Sequence, residues 1–557
     1  MAAVNEVSLR PSAVATIEGL VDTLAASRLK SALAILIVAL ACFLPGLGTL
    51  APLDRDETQS VLATQRMAAT GDYSDPRLAE EPWRLLPIGR YWLQGLAAWA
   101  HGPTLSSYRL PSLLGAVAAA LLTWWAALAF GRPRSALLAG LLMAAGFVLV
   151  GEAKVARGDA LMLGALVLSE GALARLWLRS EDPPDYLLAF LFWTGLGLGI
   201  LVKGPVAPIV LALTIAVLSF DRGGLVWLRR LAPLAGAIWL AFLLLPWLIA
   251  IAVAASKAAP DTTGAQLAIQ SGFKVPPGSH VLIFGLVFWP GAVFAAMALP
   301  FVIDNARRKV VFFCLAWALP SWIAIEVFAV KLPHAILPIC PAIAILAATA
   351  IDEGATRRTG WLAWLLKISL VLVPLAMGVV LVAELAPEDG KSAAMATVVL
   401  VGSVALAAIA WRWLQTGESA IGAVALSVVS AVLFYLAVFG MIVPHFAGLR
   451  TADRLMAAAR AVLQCDNPQF VAAGFREPSL LLAGGGAVRL ADPEGAADFL
   501  AAGDCRAALI ERGRQASFSQ RAEDLGLNLE VKGDVSGFST GRLRSVSIRI
   551  ITRADAR

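Results

Sequence analysis

The stretch SALAILIVALACFLPGLGTL, Ser31 to Leu50, carries no charge, and a few residues after it the chain turns sharply polar at Asp54-Arg55-Asp56-Glu57. An apolar run of about 20 residues matches the hydrocarbon thickness of a bilayer, where a helix is the structure that satisfies its own backbone N–H and C=O groups. The run ends without a small-residue cleavage site, so it reads as a retained span and not as a signal peptide. Comparable runs follow at about Leu110 to Phe130, Ser135 to Val150, Ala160 to Trp177, Tyr186 to Val202, Val206 to Phe220 and Leu231 to Ala255. Later ones fall at about Val281 to Ile303, Val310 to Val330, Ala335 to Ile351, Trp361 to Leu385, Ala394 to Trp411 and Ala420 to Pro444. The reading is therefore of about thirteen spans.

Composition agrees: 59% of the 557 residues are hydrophobic and 15% are charged, against roughly 25% charged in soluble domains. A single aqueous core cannot absorb that much apolar surface. The net charge of +6 is spread over short loops, so it carries no nucleic-acid meaning. Those loops orient the chain. With Arg28 and Lys30 on the cytoplasmic side, alternation also places Arg132/Arg134, Arg222/Arg229/Arg230, Arg307/Arg308/Lys309 and Arg357/Arg358 there, as expected of cytoplasmic loops. Leu85 to Ala100 is short and contains Pro87, Arg90 and Gln94, so it is expected to lie along the interface and not to cross. The expected organisation is a cytoplasmic segment 1–30, an all-α transmembrane domain 31–445 with its first periplasmic loop at 51–108, and a periplasmic domain 446–557.

In that tail the charge rises, and short apolar runs such as Phe470 to Ala473 and Ala507 to Ile510 alternate with turn residues, as in a small α/β domain. Cys465 and Cys505 would sit in an oxidising space, either paired or as two buried thiols. Cys42, Cys314 and Cys340 lie in or near spans with no metal-site spacing.

The outer loops hold the candidate chemistry. Asp54-Arg55-Asp56-Glu57 places three carboxylates and a guanidinium at the lip of the bilayer, where charge is costly unless paired, solvated or used. A carboxylate there can take a proton from an acceptor hydroxyl, and a nearby cation can neutralise a departing phosphate; the plainer reading is that Asp54 or Asp56 caps a helix. The second outer loop, Gly151-Glu152-Ala153-Lys154-Val155-Ala156-Arg157-Gly158-Asp159, supplies another lip carboxylate at Asp159, which otherwise caps the next helix while Arg157 and Lys154 pair with Glu152. Lys203-Gly204-Pro205 and Lys331-Leu332-Pro333-His334 add cations at two tight outer corners. Snorkelling lysines and a hydrogen-bonded histidine are the ordinary alternatives. Asp56, Glu57, Asp159 and His334 could furnish ligands for a divalent metal, although no pair has ligand spacing on one helix.

Taken in order, these residues resemble the aminoarabinose transferase and protein O-mannosyltransferase-like bacterial glycosyltransferases, membrane enzymes of the GT-C class. The matching pieces are Asp56-Glu57 with Met67 and Gly71-Asp72, Pro87-Ile88-Gly89-Arg90-Tyr91-Trp92-Leu93-Gln94 and Arg109-Leu110-Pro111-Ser112. Arg157-Gly158-Asp159-Ala160, Lys203-Gly204-Pro205, Lys331-Leu332-Pro333-His334 with Pro338 and Pro341, and Arg476-Glu477-Pro478-Ser479 complete the series. The resemblance implies interfacial helices in the first loop and sugar transfer from a polyprenyl-phosphate donor on the periplasmic side of the bacterial inner membrane. It implies Asp56 as the catalytic or site-organising carboxylate, with Glu57 and Asp159 beside it and Arg55 and Arg157 in support. Arg84, Arg90, Lys203, Lys331 and His334 become candidates for the donor phosphate. The family's usual lysine before the interfacial proline is Leu86 here, which leaves Arg84 or Arg90 to substitute. Ala335 stands where a tyrosine is common. No nucleotide-binding glycine-rich loop is present in the sequence. The expected acceptor is lipid A or another envelope glycolipid, with a protein hydroxyl as the alternative, and the expected state is a monomer. A polytopic lipid or sugar transporter is the competing class, although no inverted repeat is evident and the charges gather at one lip.

Overall fold

The computed structural model describes residues 12–53, 56–74, 76–78, 81–82, 87–179, 185–221, 224–256, 276–328, 332–355, 361–463, 465–542 and 544–554. Arg55, Arg84 and Lys331, together with Leu86, lie outside the described residues. Among the described residues, nine helices are long and apolar enough to cross a membrane, with two bent helix pairs and two shorter apolar helices besides. Every expected span coincides with one of these. Large apolar side chains such as Phe220, Ile238, Phe242 and Leu282 are exposed around the bundle. In water such a belt would be an aggregation surface, whereas hydrocarbon is its natural solvent.

Two details depart from the expected spans. The first apolar helix, Arg28–Phe43, is preceded by a helix whose described part, Ala13–Ala25, meets it at 113°, within the segment 1–30 expected to be cytoplasmic. The span expected at 281–303 is two helices, Ser279–Val287 and Gly291–Asp304, bent by 119°. Pro290 stands at that break, and a proline supplies no N–H to continue the helix across it.

Small residues bring the site-bearing helices together. A Cβ on Gly115 would lie 2.6 Å from the backbone of Leu161, so helix Leu105–Ala127 touches helix Asp159–Leu178 backbone to backbone. A Cβ on Gly195 would lie 2.5 Å from the carbonyl of Ala165, and Ser169 Oγ donates to Phe192 O at 2.8 Å beside it. Close crossings at small residues are the usual way apolar helices associate in lipid. Here they bring the first residue of one helix, Asp159, against the last residue of the next, Lys203.

Asp352 and Glu353 meet Arg132, Arg134 and Arg308 in a set of ion pairs. These are arginines of the loops read as cytoplasmic. Between the first two long spans lie helices Asp56–Thr70 and Gly89–His101, the second too short to cross a bilayer. The tail carries a five-stranded sheet in the order 488–490, 469–473, 506–511, 544–553, 529–539, its first three strands parallel. Helices cover both faces: Leu480 belongs to one apolar cluster and Phe518 to the other. Cys465 and Cys505 form a disulfide.

Candidate active site

Glu57 is fully buried and saturated. Its carboxylate takes Nε and a terminal nitrogen of Arg109 at 2.7 and 3.0 Å, the N–H of Leu53 at 2.8 Å and the N–H of Ala156 at 2.9 Å. Gln94, from the second short helix, donates to the carbonyl of Ala156 at 3.0 Å while accepting from Ser60 and Thr64. Both backbone groups of Ala156 are thus held by side chains of the first loop. Ser112 Oγ grips the carbonyl of Arg157 at 2.7 Å, and the buried Lys154 ammonium is held by the carbonyls of Cys42 and Phe43 at 2.6 and 3.0 Å. The second outer loop is therefore fixed from four sides, and what it presents is Arg157.

The Arg157 guanidinium lies 3.5 Å from Asp56, 3.8 Å from Glu152, 3.9 Å from Asp159 and 3.1 Å from Nδ1 of His334. Asp159 is also paired with Lys203, and His334 Nε2 lies 3.8 Å from Asp159. One cluster accordingly contains Asp56, Arg157, Asp159, Lys203 and His334, drawn from four separate segments of chain. Burial divides the carboxylates: the Asp56 side chain is 38% exposed, that of Asp159 6% and that of Glu57 0%. Asp56 is the carboxylate open to an incoming molecule.

Burial pushes the Glu152 carboxyl up to about 7, with Arg157 opposing and Asp159 adding to the rise. Burial likewise pulls Lys154 down to about 7. At Arg157 burial disfavours the charge, but Glu152, Asp159 and Asp56 outweigh it and raise the pKa above the ordinary arginine value.

Arg90 stands in the first turn of the second short helix, Gly89–His101. One terminal nitrogen donates to the Tyr91 hydroxyl at 2.6 Å, whereas its buried Nε has no hydrogen-bond partner among the described residues. A Cβ on Gly158 would come 3.7 Å from Arg90 Cδ and 2.9 Å from Val202, so Arg90 borders both the second loop and the corner at Lys203. An unsatisfied guanidinium nitrogen at this point is a ready donor for an anionic ligand. Among the described residues no group of three or more His, Cys, Asp or Glu could hold a metal ion.

Three participants escape a reading of the sequence as candidate site residues: Glu152, Arg109 and Gln94. Arg109 carried a signal, since a guanidinium at the mouth of an apolar helix demands a partner. Nothing local points to Glu57, 52 residues away, as that partner.

No family model matches the chain. The undecaprenyl phosphate-α-4-amino-4-deoxy-L-arabinose arabinosyl transferase of Pectobacterium carotovorum is 26% identical over 426 residues, covering 70% of this chain and 74% of that protein. The corresponding transferase of Yersinia pestis is 24% identical over 392 residues, covering 64% and 69%. Crystal structures of ArnT from Cupriavidus metallidurans, in the apo state and bound to undecaprenyl phosphate, superpose with a TM-score of 0.72 each, at 18% and 17% identity, over 93% of this chain and 97% of theirs. The chain is homologous to the undecaprenyl phosphate aminoarabinose transferases and has the GT-C fold of ArnT.

Proposed function

We propose that this chain is an integral membrane glycosyltransferase that moves a sugar from undecaprenyl phosphate to an envelope glycolipid such as lipid A, with an aminoarabinose-type pentose as the donor sugar. The observation that carries the reading is the convergence of Asp56 and Asp159 with Arg157, Lys203 and His334 at the ends of close-packed spans. The basic ends of the bundle around Asp352 lie in the loops assigned to the cytoplasm, which supports a periplasmic placement of this cluster and of the tail in the inner membrane.

The reaction is a single displacement. The acceptor oxygen bonds to the anomeric carbon as the bond from that carbon to the phosphate oxygen breaks, and the polyprenyl phosphate leaves with the electron pair. Asp56 orients the acceptor and takes its proton where the nucleophile is a hydroxyl. Asp159 holds Lys203 and Arg157 in place, and those cations with Arg90 compensate the charge that grows on the leaving phosphate. His334 accepts from Arg157 in this arrangement, so the facing ring nitrogen carries no proton. Glu57 does not meet the substrate: with four donors on two buried oxygens it positions the loop that carries Arg157. Phosphate is already a competent leaving group, so positioning and charge compensation carry most of the acceleration.

The test is transfer by the purified chain from undecaprenyl-phosphate aminoarabinose to lipid A, followed by mass spectrometry. The mass of one added pentosamine is expected, lost in Asp56→Asn. Full-rate transfer by Asp56→Asn would overturn the role of that residue. Movement of the donor lipid across proteoliposomes without transfer would favour a transporter.

A further inference from the structure

In the tail, strand 469–473 is followed by a helix on one face of the sheet and parallel strand 506–511 by a helix on the other, as Leu480 and Phe518 belong to opposite clusters. Where neighbouring chains depart to opposite faces, a crevice opens beyond the carboxyl ends of the strands, the usual place for a ligand in an open α/β sheet. A cavity of about 540 Å3 lies at that point in this chain.

Four guanidinium-bearing residues line it: Arg476, Arg514, Arg542 and Arg544. The buried Glu511 bridges two of them, pairing with Arg544 and lying 3.5 Å from Arg542, which also donates to the carbonyl of Gly474 at 3.0 Å. These bonds orient the Arg542 and Arg544 guanidinium groups while their side chains stay open to solvent. Arg476 and Arg514 have no carboxylate partner among the described residues, and the other acid of the lining, Asp492, is occupied in capping Gly495 N at 2.8 Å. Helix Gln515–Asp524 begins at Arg514 without a side-chain cap, adding the positive end of its dipole. Gly474 adopts φ +89°, and a Cβ there would stand 2.6 Å from Glu511 Cβ, so this wall tolerates no larger residue.

We propose that this cavity is a binding site for a phosphoryl oxyanion. Guanidinium forks match the geometry of phosphate oxygens, and four of them against the two carboxylates Glu511 and Asp492 leave a net positive lining. The site is also near the membrane-facing part of the molecule. Helix Pro478–Gly484, which starts two residues after Arg476, sets Leu482 among Val61, Tyr108 and Ala156 of the transmembrane domain. A phosphorylated glycolipid headgroup and free phosphate share the chemistry that the cavity recognises.

The experiment measures binding by the full chain in nanodiscs of zwitterionic lipid, with inorganic phosphate as one probe and a diphosphorylated glycolipid carried in the nanodisc as the other. Saturable binding of inorganic phosphate identifies a free-anion site, and binding of the glycolipid alone identifies a headgroup site. In either case R476Q/R514Q weakens binding on the order of tenfold or more, whereas R521Q, which removes an arginine of the same domain that pairs with Asp498 outside the cavity, leaves it unchanged. The proposal is overturned if neither probe binds, if R476Q/R514Q binds like the parent, or if R521Q weakens binding as much as R476Q/R514Q does. Binding is read without turnover, so failure of the transfer reaction does not decide it.

Discussion

Glu57 and Ala156 are 99 residues apart in the chain, and the carboxylate of the first accepts the backbone N–H of the second at 2.9 Å. The same carboxylate neutralises Arg109, and Gln94 takes the carbonyl of Ala156. The two short helices of the first loop therefore act as a clamp on the second loop, and Arg157 is what the clamp aims. This arrangement separates two neighbouring acids. Asp56 is open and faces Arg157, while Glu57 is sealed and carries the framework.

Replacing Glu57 by Gln leaves the buried Arg109 charge without its anion. Loss of one partner of a buried pair costs about 3–5 kcal/mol, so Glu57→Gln is expected to lower the thermal midpoint in detergent and to reduce transfer along with it. Unchanged stability would remove the structural role assigned here.

Asp56→Asn is expected to do the opposite. The side chain is partly exposed, so the folded protein keeps its midpoint, while transfer to a hydroxyl acceptor falls roughly 10²- to 10⁴-fold, the range for loss of a general base. Paired measurements of midpoint and initial rate on the two variants distinguish chemistry from framework.

The spans were legible because length and apolarity suffice to identify them, and lip-positioned Asp56 and Asp159 were legible because charge at that depth needs a reason. The bend between Val287 and Gly291 was not, since an apolar run reads the same whether or not Pro290 interrupts it. The Glu57–Ala156 bond was equally hidden. Gly115 lets the helix that carries Arg109, the partner of Glu57, lie against the helix that follows Ala156, and a glycine in an apolar run does not announce its neighbour. The pairing of Cys465 with Cys505 was open on composition and follows from strand 469–473 lying beside strand 506–511.

That disulfide spans 40 residues of chain. Closing a loop of that length in the unfolded state contributes about 4 kcal/mol. A C465S/C505S variant is expected to release the tail to limited proteolysis at lower temperature while the transmembrane domain stays intact. Simultaneous loss of both parts at one temperature would mean that the tail has no stability of its own.

The remaining prediction concerns pH. Glu152 has its folded pKa raised from the ordinary 4.5 to about 7, with burial as the main cause. Between those values the native state holds a proton that the unfolded state has released, so this group's contribution to stability is largest below about 4.5 and declines as pH rises to about 7. The same titration acts on Arg157, 3.8 Å away. A neutral Glu152 leaves the guanidinium to Asp56 and the donor phosphate, whereas an ionised one competes for it. The transfer rate is therefore expected to fall as pH rises through about 7, and Glu152→Gln is expected to flatten that limb while keeping the rate found at low pH. A falling limb of the same size in Glu152→Gln would assign the titration to another group.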